Sequence, residues 1–113
     1  MDLAELTAAL RTFAEERDWE KFHTPKNLAV SVAIEAAELL ELVQWKTDEE
    51  LASFLQTDEG RAALSDELAD VLIYLVRLAD VTGVDLRVAA DEKIGRNHGR
   101  FPTAGPESTP QPT

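Results

Sequence analysis

Two pairs of acidic residues stand inside the most apolar stretches of the sequence. Glu35 and Glu38 interrupt the run 28–43, and Glu67 and Asp70 interrupt the segment SDELADVLIY. The residues of each pair are three apart, so on a helix their side chains share one face. A carboxylate in apolar surroundings costs free energy unless a counter-charge compensates for it. The spacing therefore indicates two helices that can bring four carboxylates together across a bundle.

A cluster of four carboxylates needs a cation, because like charges at close range cannot all stay ionised without one. An all-oxygen ligand set suits Mg²⁺ or Mn²⁺. A di-iron site is a rival, but it requires Glu-x-x-His on two helices, and Glu38 and Asp70 occupy those third positions. The chain has no cysteine, which excludes a zinc–thiolate site. We therefore favour a Mg²⁺ or Mn²⁺ site over the alternative of two solvated acidic faces.

Positive charge is concentrated near the end of the chain, in the segment DEKIGRNHGRFP. Four of its side chains fall on one face of a predicted helix and suit phosphate binding: Lys93, Arg96, Asn97 and Arg100. The alternative is a set of cations favoured by the dipole at a helix C-terminus. Beside a metal-binding carboxylate cluster, a phosphate-binding role becomes a competitive interpretation.

Aromatic residues and a histidine stand near the ends of the predicted helices. Trp19 and Trp45 each lie where a loop meets a helix, so each is either a core residue or a surface on which a planar base stacks. His23 shares the loop of Trp19, and a lone histidine there is more often a structural hydrogen-bonding group. Tyr74 follows Asp70 by four residues and lies on the same helical stripe.

Helices are the elements that must position these side chains, because Ala, Leu and Glu dominate and Gly and Pro are few. Helix-start signals at Thr24-Pro25 and at Thr47 with Glu50, and a stop at Gly83, help to delimit them. The patterns predict five helices, at approximately 2–18, 25–46, 47–56, 58–82 and 86–98. The second is apolar around most of its girth, so we expect it to be the central, most buried helix.

These elements predict an all-α fold with a four-helix-bundle core and one additional short helix. Residues 1–101 form one domain, and residues 102–113 are rich in Pro, Ser and Thr and are expected to be a flexible tail. The second and fourth helices carry more apolar surface than one small bundle covers. Since large exposed patches are rare on monomers, we expect a homo-oligomer.

Composition restricts the partners of the chain. The formal net charge of the 113 residues is −11, which argues against non-specific nucleic-acid binding. No apolar stretch is long and charge-free enough to span a membrane, and the acidic N-terminus does not read as a secretory signal. We expect a cytoplasmic protein whose anionic ligands, where it has any, need metal ions or a local basic cluster.

Three segments together resemble a known family: RDWEKFHTPKNLAVSVAIEAAELLELVQWK, LSDELADVLIYLVRLADVTGVDL and KIGRNHGRFP. They are similar to the MazG-like all-α nucleoside triphosphate pyrophosphohydrolases, in particular to the dCTP pyrophosphatase subgroup, over about residues 3–102. The signature E-x-x-E followed by E-x-x-D is matched by the four acidic residues above. The flanking residues match that subgroup in order: Trp19, His23, Trp45, Tyr74, Lys93 and Asn97.

The resemblance implies cleavage between the α- and β-phosphates of a (deoxy)nucleoside triphosphate, dCTP-like, giving a monophosphate and pyrophosphate in nucleotide-pool house-cleaning. It implies a homodimer or homotetramer. It also assigns roles to the residues. Glu35, Glu38, Glu67 and Asp70 would hold Mg²⁺. Apart from the resemblance, the chemistry of such a metal site predicts that one of the carboxylates, Glu35 or Glu38, orients or deprotonates the attacking water. Lys93, Asn97 and Tyr74 would contact phosphates, and Trp19 and Trp45 would border the base near His23.

Two other functions are compatible with a helical, acidic chain. One is a non-catalytic interaction module whose acidic faces bind a basic partner, and the other is a pseudo-enzyme that binds nucleotides without turnover. An interaction module has no reason to place acidic residues inside apolar helices. A pseudo-enzyme is disfavoured because none of the four acidic positions of the metal signature is lost. The identity of the base stays open, because stacking tolerates every base.

Overall fold

The structure, a computed structural model, describes residues 1–104, which form five α-helices and one 3-10 turn without a β-strand. This confirms the predicted all-α class and the predicted order of helices. Of the predicted tail, residues 102–104 are non-helical and residues 105–113 lie outside the described part. The elements are α1 (Leu3–Glu16), the 3-10 turn (Glu20–Phe22), α2 (Pro25–Val43), α3 (Asp48–Phe54), α4 (Asp58–Thr82) and α5 (Leu86–Arg100).

Each α-helix begins at a polar side chain that accepts a hydrogen bond from a backbone N–H in its first turn, which satisfies one of the free donors there. The five capping residues are Asp2, Thr24, Thr47, Thr57 and Asp85. The predicted capping box at Thr47 is present, and Gly83 ends α4 in the left-handed conformation with φ of 73°.

Three predicted helix ends extend too far, and one stops short. Helix α3 ends at Phe54 rather than at 56, and α5 continues to Arg100 rather than ending at 98. Helix α1 stops at Glu16 rather than at 18, where Asp18 adopts a positive φ of 54°. Helix α2 stops at Val43 rather than at 46, because Lys46 N–H donates to the carbonyl of Val43 in a tighter turn. A hydrophobic pattern that continues past a helix end conceals such turns, since turn conformation is not part of the pattern.

Helix α4 is the centre of the fold, because α1, α2 and α3 all pack against it. The prediction that α2 would be the most buried helix is wrong for the single chain. Leu28 is the buried residue of α2, whereas Val30, Ile34 and Leu40 are each about half exposed, at 49%, 53% and 55%. A helix that is apolar on every side can cover only one of its faces against α4.

One chain of this fold leaves a large apolar surface open. Helix α5 makes at most slight contact with the other described helices, and its Val88 and Ile94 are 42% and 55% exposed. The radius of gyration of the Cα atoms is 17.5 Å, whereas a compact domain of this length has about 13 Å. None of the helices within residues 1–104 is both long and apolar enough to cross a bilayer.

An ion-pair network joins α1 to α4. Asp80 accepts hydrogen bonds from Arg11 at 2.6 Å and from Arg77 at 2.9 Å. The Asp80 and Arg77 side chains are only 12% and 7% exposed. The hydrogen bond from Arg11 is the largest cause of a lowered pKa of Asp80, followed, after the opposing effect of burial, by the charges of Arg11 and Arg77. The carboxylate is therefore held ionised between two guanidinium groups.

Helices α3 and α4 meet at a glycine. A Cβ added to Gly60 would clash with the carbonyl oxygen of Phe54 and lie 2.7 Å from its carbonyl carbon. Since backbone atoms cannot turn away as side chains do, this position accepts no side chain. Gly95, in the interior of α5, has no atom within 4 Å of an added Cβ.

We predict that Gly60→Ala lowers the free energy of unfolding by about 2–3 kcal/mol, the cost of overpacking a close contact. Gly95→Ala is the matched control and should be neutral or stabilise α5 by up to about 1 kcal/mol, since Ala favours helices. Urea denaturation followed by circular dichroism measures both. Equal stability of the two variants would contradict the close approach at Gly60.

Candidate metal centre

The four predicted carboxylates come together where α2 packs against α4. One carboxylate oxygen of each lies within 4.8 Å of the others, the residues being Glu35, Glu38, Glu67 and Asp70. Glu38 is exposed and the other three are half-buried. The geometric prediction from the i, i+3 spacing is thus confirmed: each helix presents one pair, and the two pairs face each other.

Two oxygen atoms of the cluster lack a hydrogen-bond partner although they are buried, Glu35 Oε2 and Glu67 Oε2. Burial is the largest cause of the raised pKa of both carboxyl groups. The adjacent charges of Glu38 and Asp70 raise both pKa values further. A buried acceptor without a donor is costly, and a divalent cation would satisfy it. The four oxygen donors therefore fit a Mg²⁺ or Mn²⁺ ion.

Neither tryptophan lies in the core of the chain. Trp45 is 86% exposed and Trp19 is 43% exposed, so the core interpretation does not hold within one chain. Trp19 packs edge-on against Phe13, with ring centroids 5.6 Å apart. The two indoles lie near opposite ends of α2, a helix about 27 Å long at ~1.5 Å per residue. A base bordered by both would therefore require two copies of the chain.

His23 lies close to Trp19 and to α4. Its ring centroid is 6.4 Å from that of Trp19, and its Nδ1 accepts a hydrogen bond from Arg77 Nε at 3.0 Å. The ring is half-buried, and burial, followed by the charge of Arg77, lowers its pKa. His23 is therefore neutral at neutral pH.

A stripe on α4 connects the carboxylates to this aromatic corner. Asp70, Tyr74 and Arg77 are spaced four and three residues apart, so they follow one another along one face. From Asp70 to Arg77 the stripe covers about 10 Å. Tyr74 is half-buried between them. Helices α2 and α4 run antiparallel, because His23 before α2 contacts Arg77 toward the end of α4 while the carboxylates meet nearer its start. Trp45, which follows the C-terminal end of α2, therefore lies on the other side of the carboxylates from His23.

The predicted phosphate-binding residues lie on α5: Lys93, Arg96, Asn97 and Arg100. Three of them are exposed and Asn97 is half-buried. Helix α5 does not pack extensively against α2 or α4. Within one chain, these four side chains are therefore not held against the helices that carry the carboxylates.

Sequence reasoning missed the ion-pair network behind His23. Arg77 donates to His23 and to Asp80, and Arg11 donates to Asp80. The available signal was Arg77 and Asp80 at i, i+3 within the apolar run LIYLVRLADV of the fourth helix. The same reasoning that singled out the acidic pairs applies to a buried cation, which also needs a partner.

Comparison with known proteins adds independent information. The MazG-like family model matches residues 30–108. The chain is 51% identical over 90 residues to dCTP pyrophosphatase 1 of Homo sapiens and 50% identical to the protein of that name in Mus musculus. These alignments cover 80% of this chain and 53% of each relative. The chain thus spans about half the length of the curated relatives that it matches.

A solved structure is similar over nearly its whole length. The crystal structure of a pyrophosphatase from Archaeoglobus fulgidus superposes with a TM-score of 0.81 at 44% sequence identity. The match covers 88% of this chain and 92% of the other. The helical arrangement around the carboxylates is therefore one that a solved protein also adopts.

We predict that Glu67→Gln raises the melting temperature of the metal-free protein at neutral pH. The raised pKa of Glu67 means that the folded chain binds its proton more tightly than the unfolded chain. Metal-free stability therefore falls as the pH rises from the ordinary value of about 4.3 through the raised pKa. The uncharged amide of Gln at this position does not ionise, so the variant does not lose this stability at neutral pH. It should also reduce the gain in melting temperature caused by Mg²⁺ or Mn²⁺, as measured by differential scanning fluorimetry.

The control is Glu41→Gln, which removes the same charge from an exposed position of α2 outside the cluster. It should change neither the metal-free melting temperature nor the metal response. A Glu67→Gln protein that melts lower in chelator and responds normally to Mg²⁺ would mean that the acid has a structural role.

Proposed function

Because the chain belongs to the MazG-like family, we propose that it is a metal-dependent nucleoside triphosphate pyrophosphohydrolase. The observation that carries this proposal is the cluster of four carboxylates, two of which have a buried oxygen without a donor. The names of the relatives, dCTP pyrophosphatase 1 and pyrophosphatase, support the same reaction. An acidic interaction module would gain nothing from carboxylates buried between two of its own helices.

The ion is Mg²⁺ or Mn²⁺, and Glu35, Glu67 and Asp70 are its half-buried ligands, with Glu38 beside them. Bound there, it would offset the charge of the phosphates and lower the pKa of a bound water. Glu38 is the exposed member of the cluster. It is therefore the carboxylate best placed to orient the attacking water or to accept its proton.

The substrate is a deoxynucleoside triphosphate of the dCTP type, as the names of the relatives suggest. The stripe from Asp70 through Tyr74 leads toward Trp19 and His23, so a triphosphate at the carboxylates can extend its base to that corner. Tyr74 then lies beside the sugar or the phosphates. Trp45, at the other end of α2, can border a base bound to a second copy. Removal of unwanted nucleotides from the cytoplasmic pool is the corresponding biological role.

The active form is a homo-oligomer, a dimer or a tetramer. A second copy supplies the surface that covers the exposed faces of α2, α4 and α5. It also offers a way to bring the basic face of α5 to a triphosphate: Lys93, Arg96, Asn97 and Arg100. Without such charges or metal, a chain of net charge −11 repels a polyanionic substrate.

We predict pyrophosphate release from a panel of nucleoside triphosphates, with dCTP among the best substrates, in Mg²⁺ and none in excess chelator. Asp70→Asn should lower turnover at least about 100-fold, because it removes a metal ligand. Asp66→Asn, a neighbouring exposed position, is the control and should retain activity. Coupled detection of pyrophosphate and chromatography of the nucleoside product measure the reaction. Full turnover in chelator, or release of orthophosphate instead, would refute it.

We predict that Trp19→Ala and Trp45→Ala each weaken nucleotide binding about tenfold, since stacking on an aromatic ring contributes roughly 1–3 kcal/mol per base. Quenching of tryptophan fluorescence by dCTP in Ca²⁺ reports binding without relying on turnover. Phe22→Ala, another exposed aromatic residue of the same loop, is the control and should bind normally. Wild-type affinity in both tryptophan variants would remove them from the base site.

We predict that the wild-type protein elutes at a multiple of 12.5 kDa at micromolar concentration in size-exclusion chromatography with light scattering. Leu40→Glu should shift the mass toward that of one chain, because it places a charge on the exposed apolar face of α2. Glu41→Gln alters the adjacent position and should leave the mass unchanged. A monomeric wild type would exclude the oligomer.

A further inference from the structure

Arg77 is the one buried charged side chain among residues 1–104. Its guanidinium group divides its hydrogen bonds between two partners on different elements. Nη1 donates to Asp80 Oδ2 at 2.9 Å on the same helix, and Nε donates to His23 Nδ1 at 3.0 Å in the loop before α2. An arginine that served only to pair with Asp80 would not need its Nε directed at an imidazole.

The hydrogen bond from Arg77 determines where the imidazole carries its proton. A guanidinium group has donors and no acceptor. His23 Nδ1 must therefore be unprotonated to accept the bond, and a neutral ring then carries its hydrogen on Nε2. Burial and the adjacent charge of Arg77 both disfavour a second proton on the ring.

Asp80 and Arg11 hold the guanidinium in the orientation that this bond requires. Asp80 accepts from Arg77 through Oδ2 and from Arg11 through both oxygens, Oδ1 at 2.6 Å and Oδ2 at 3.0 Å. Because Asp80 is bonded to an arginine on each side, rotation of the Arg77 fork would break an ion pair that is only 7% and 12% exposed. The chain of contacts therefore runs from α1 through α4 to the loop of His23.

The imidazole held in this way is at the end of the α4 stripe that leads from the carboxylates. It lies beside the partly exposed indole of Trp19. The separation of about 10 Å along the stripe is comparable with the distance between the phosphates and the base of a nucleotide. In the proposed function, the base of the substrate lies at this corner, beside Trp19 and His23.

We propose that Arg77 is a positioning residue that fixes His23 as the neutral Nε2–H tautomer, so that His23 presents one hydrogen-bond donor to an acceptor atom of the nucleotide base. The acceptor is a carbonyl oxygen or an unprotonated ring nitrogen. The base contact rests on the proposed function, whereas the tautomer does not. Within the protein, Nε of Arg77 donates to His23 and Nη1 donates to Asp80.

The tautomer can be measured on the full-length chain without a nucleotide. Long-range ¹H–¹⁵N correlation spectra distinguish protonated from unprotonated ring nitrogens, and the chain has two histidines, His23 and His98. His98→Gln assigns the signals. We expect Nδ1 of His23 to be unprotonated and Nε2 protonated. A proton on Nδ1 in the wild-type protein would overturn the proposal.

Arg77→Lys separates the two roles of the arginine. A lysine retains a charge for Asp80 and so preserves the ion pair that supports the fold, but it lacks the planar fork that reaches His23 at the same time. The His23 signals should move toward the tautomer mixture of an unconstrained imidazole. Arg77→Met, which also loses the ion pair, should give the same shift where it folds. Unchanged signals in Arg77→Lys would overturn the positioning role.

Kinetics tests the contact with the base. Arg77→Lys should raise KM for dCTP roughly five- to tenfold, the effect of one weakened hydrogen bond, with kcat within about twofold. Arg61→Lys, an exposed position of α4, is the control and should leave both constants unchanged. A loss in kcat at constant KM would overturn the proposal, because it would place Arg77 in the chemical step.

The failures of the two proposals are distinguishable. A wild-type protein with the expected tautomer but no pyrophosphate release from any nucleotide would overturn the proposed function and the base contact together. Turnover of dCTP with a KM that Arg77→Lys does not change would overturn the positioning role and leave the pyrophosphohydrolase intact.

Discussion

Four carboxylates lie within 4.8 Å of one another where α2 packs against α4, and their mutual repulsion opposes the packing of the two principal helices. The raised pKa values of Glu35 and Glu67 show that the chain bears this cost through burial and repulsion. Leu28, Val76 and the capped helix ends must offset it in the metal-free chain. A divalent ion bound there would offset the repulsion between the carboxylates. It would also stabilise the folded chain, since a ligand that binds only the folded state raises its stability.

The apolar surface that the single chain leaves exposed comes mainly from the way α2 packs. Helix α2 is apolar on all sides but is covered only along α4, so Ile34 and Leu40 stay exposed. The carboxylate interface uses the covered face, which leaves the remaining apolar face for another surface. The apolar surface that the single chain leaves exposed is therefore surface that only a contact outside the chain could bury.

The features that could be predicted from the sequence are those set by residues close together along the chain. Capping signals located the starts of α2, α3 and α5, and the i, i+3 spacing located all four carboxylates. What it did not predict depends on which helices meet. The central position belongs to α4 rather than α2, and Arg77 reaches His23 across 54 positions of sequence. Periodicity identifies an apolar face but not its partner, so such contacts become visible only when the helices are packed.

Arg77 is a buried charge in a fold whose main helix interface already holds four carboxylates. Replacing a buried ion pair by apolar side chains of similar volume is often neutral or stabilising, so stability alone does not account for Arg77 and Asp80. The arginine does what no apolar side chain does: it donates to a carboxylate and to an imidazole at once, in a fixed plane. Arg77 thereby ties the loop of His23 to the helix that carries Glu67 and Asp70. The separation between the carboxylates and the proposed base site then follows the rise of α4 rather than the conformation of that loop alone.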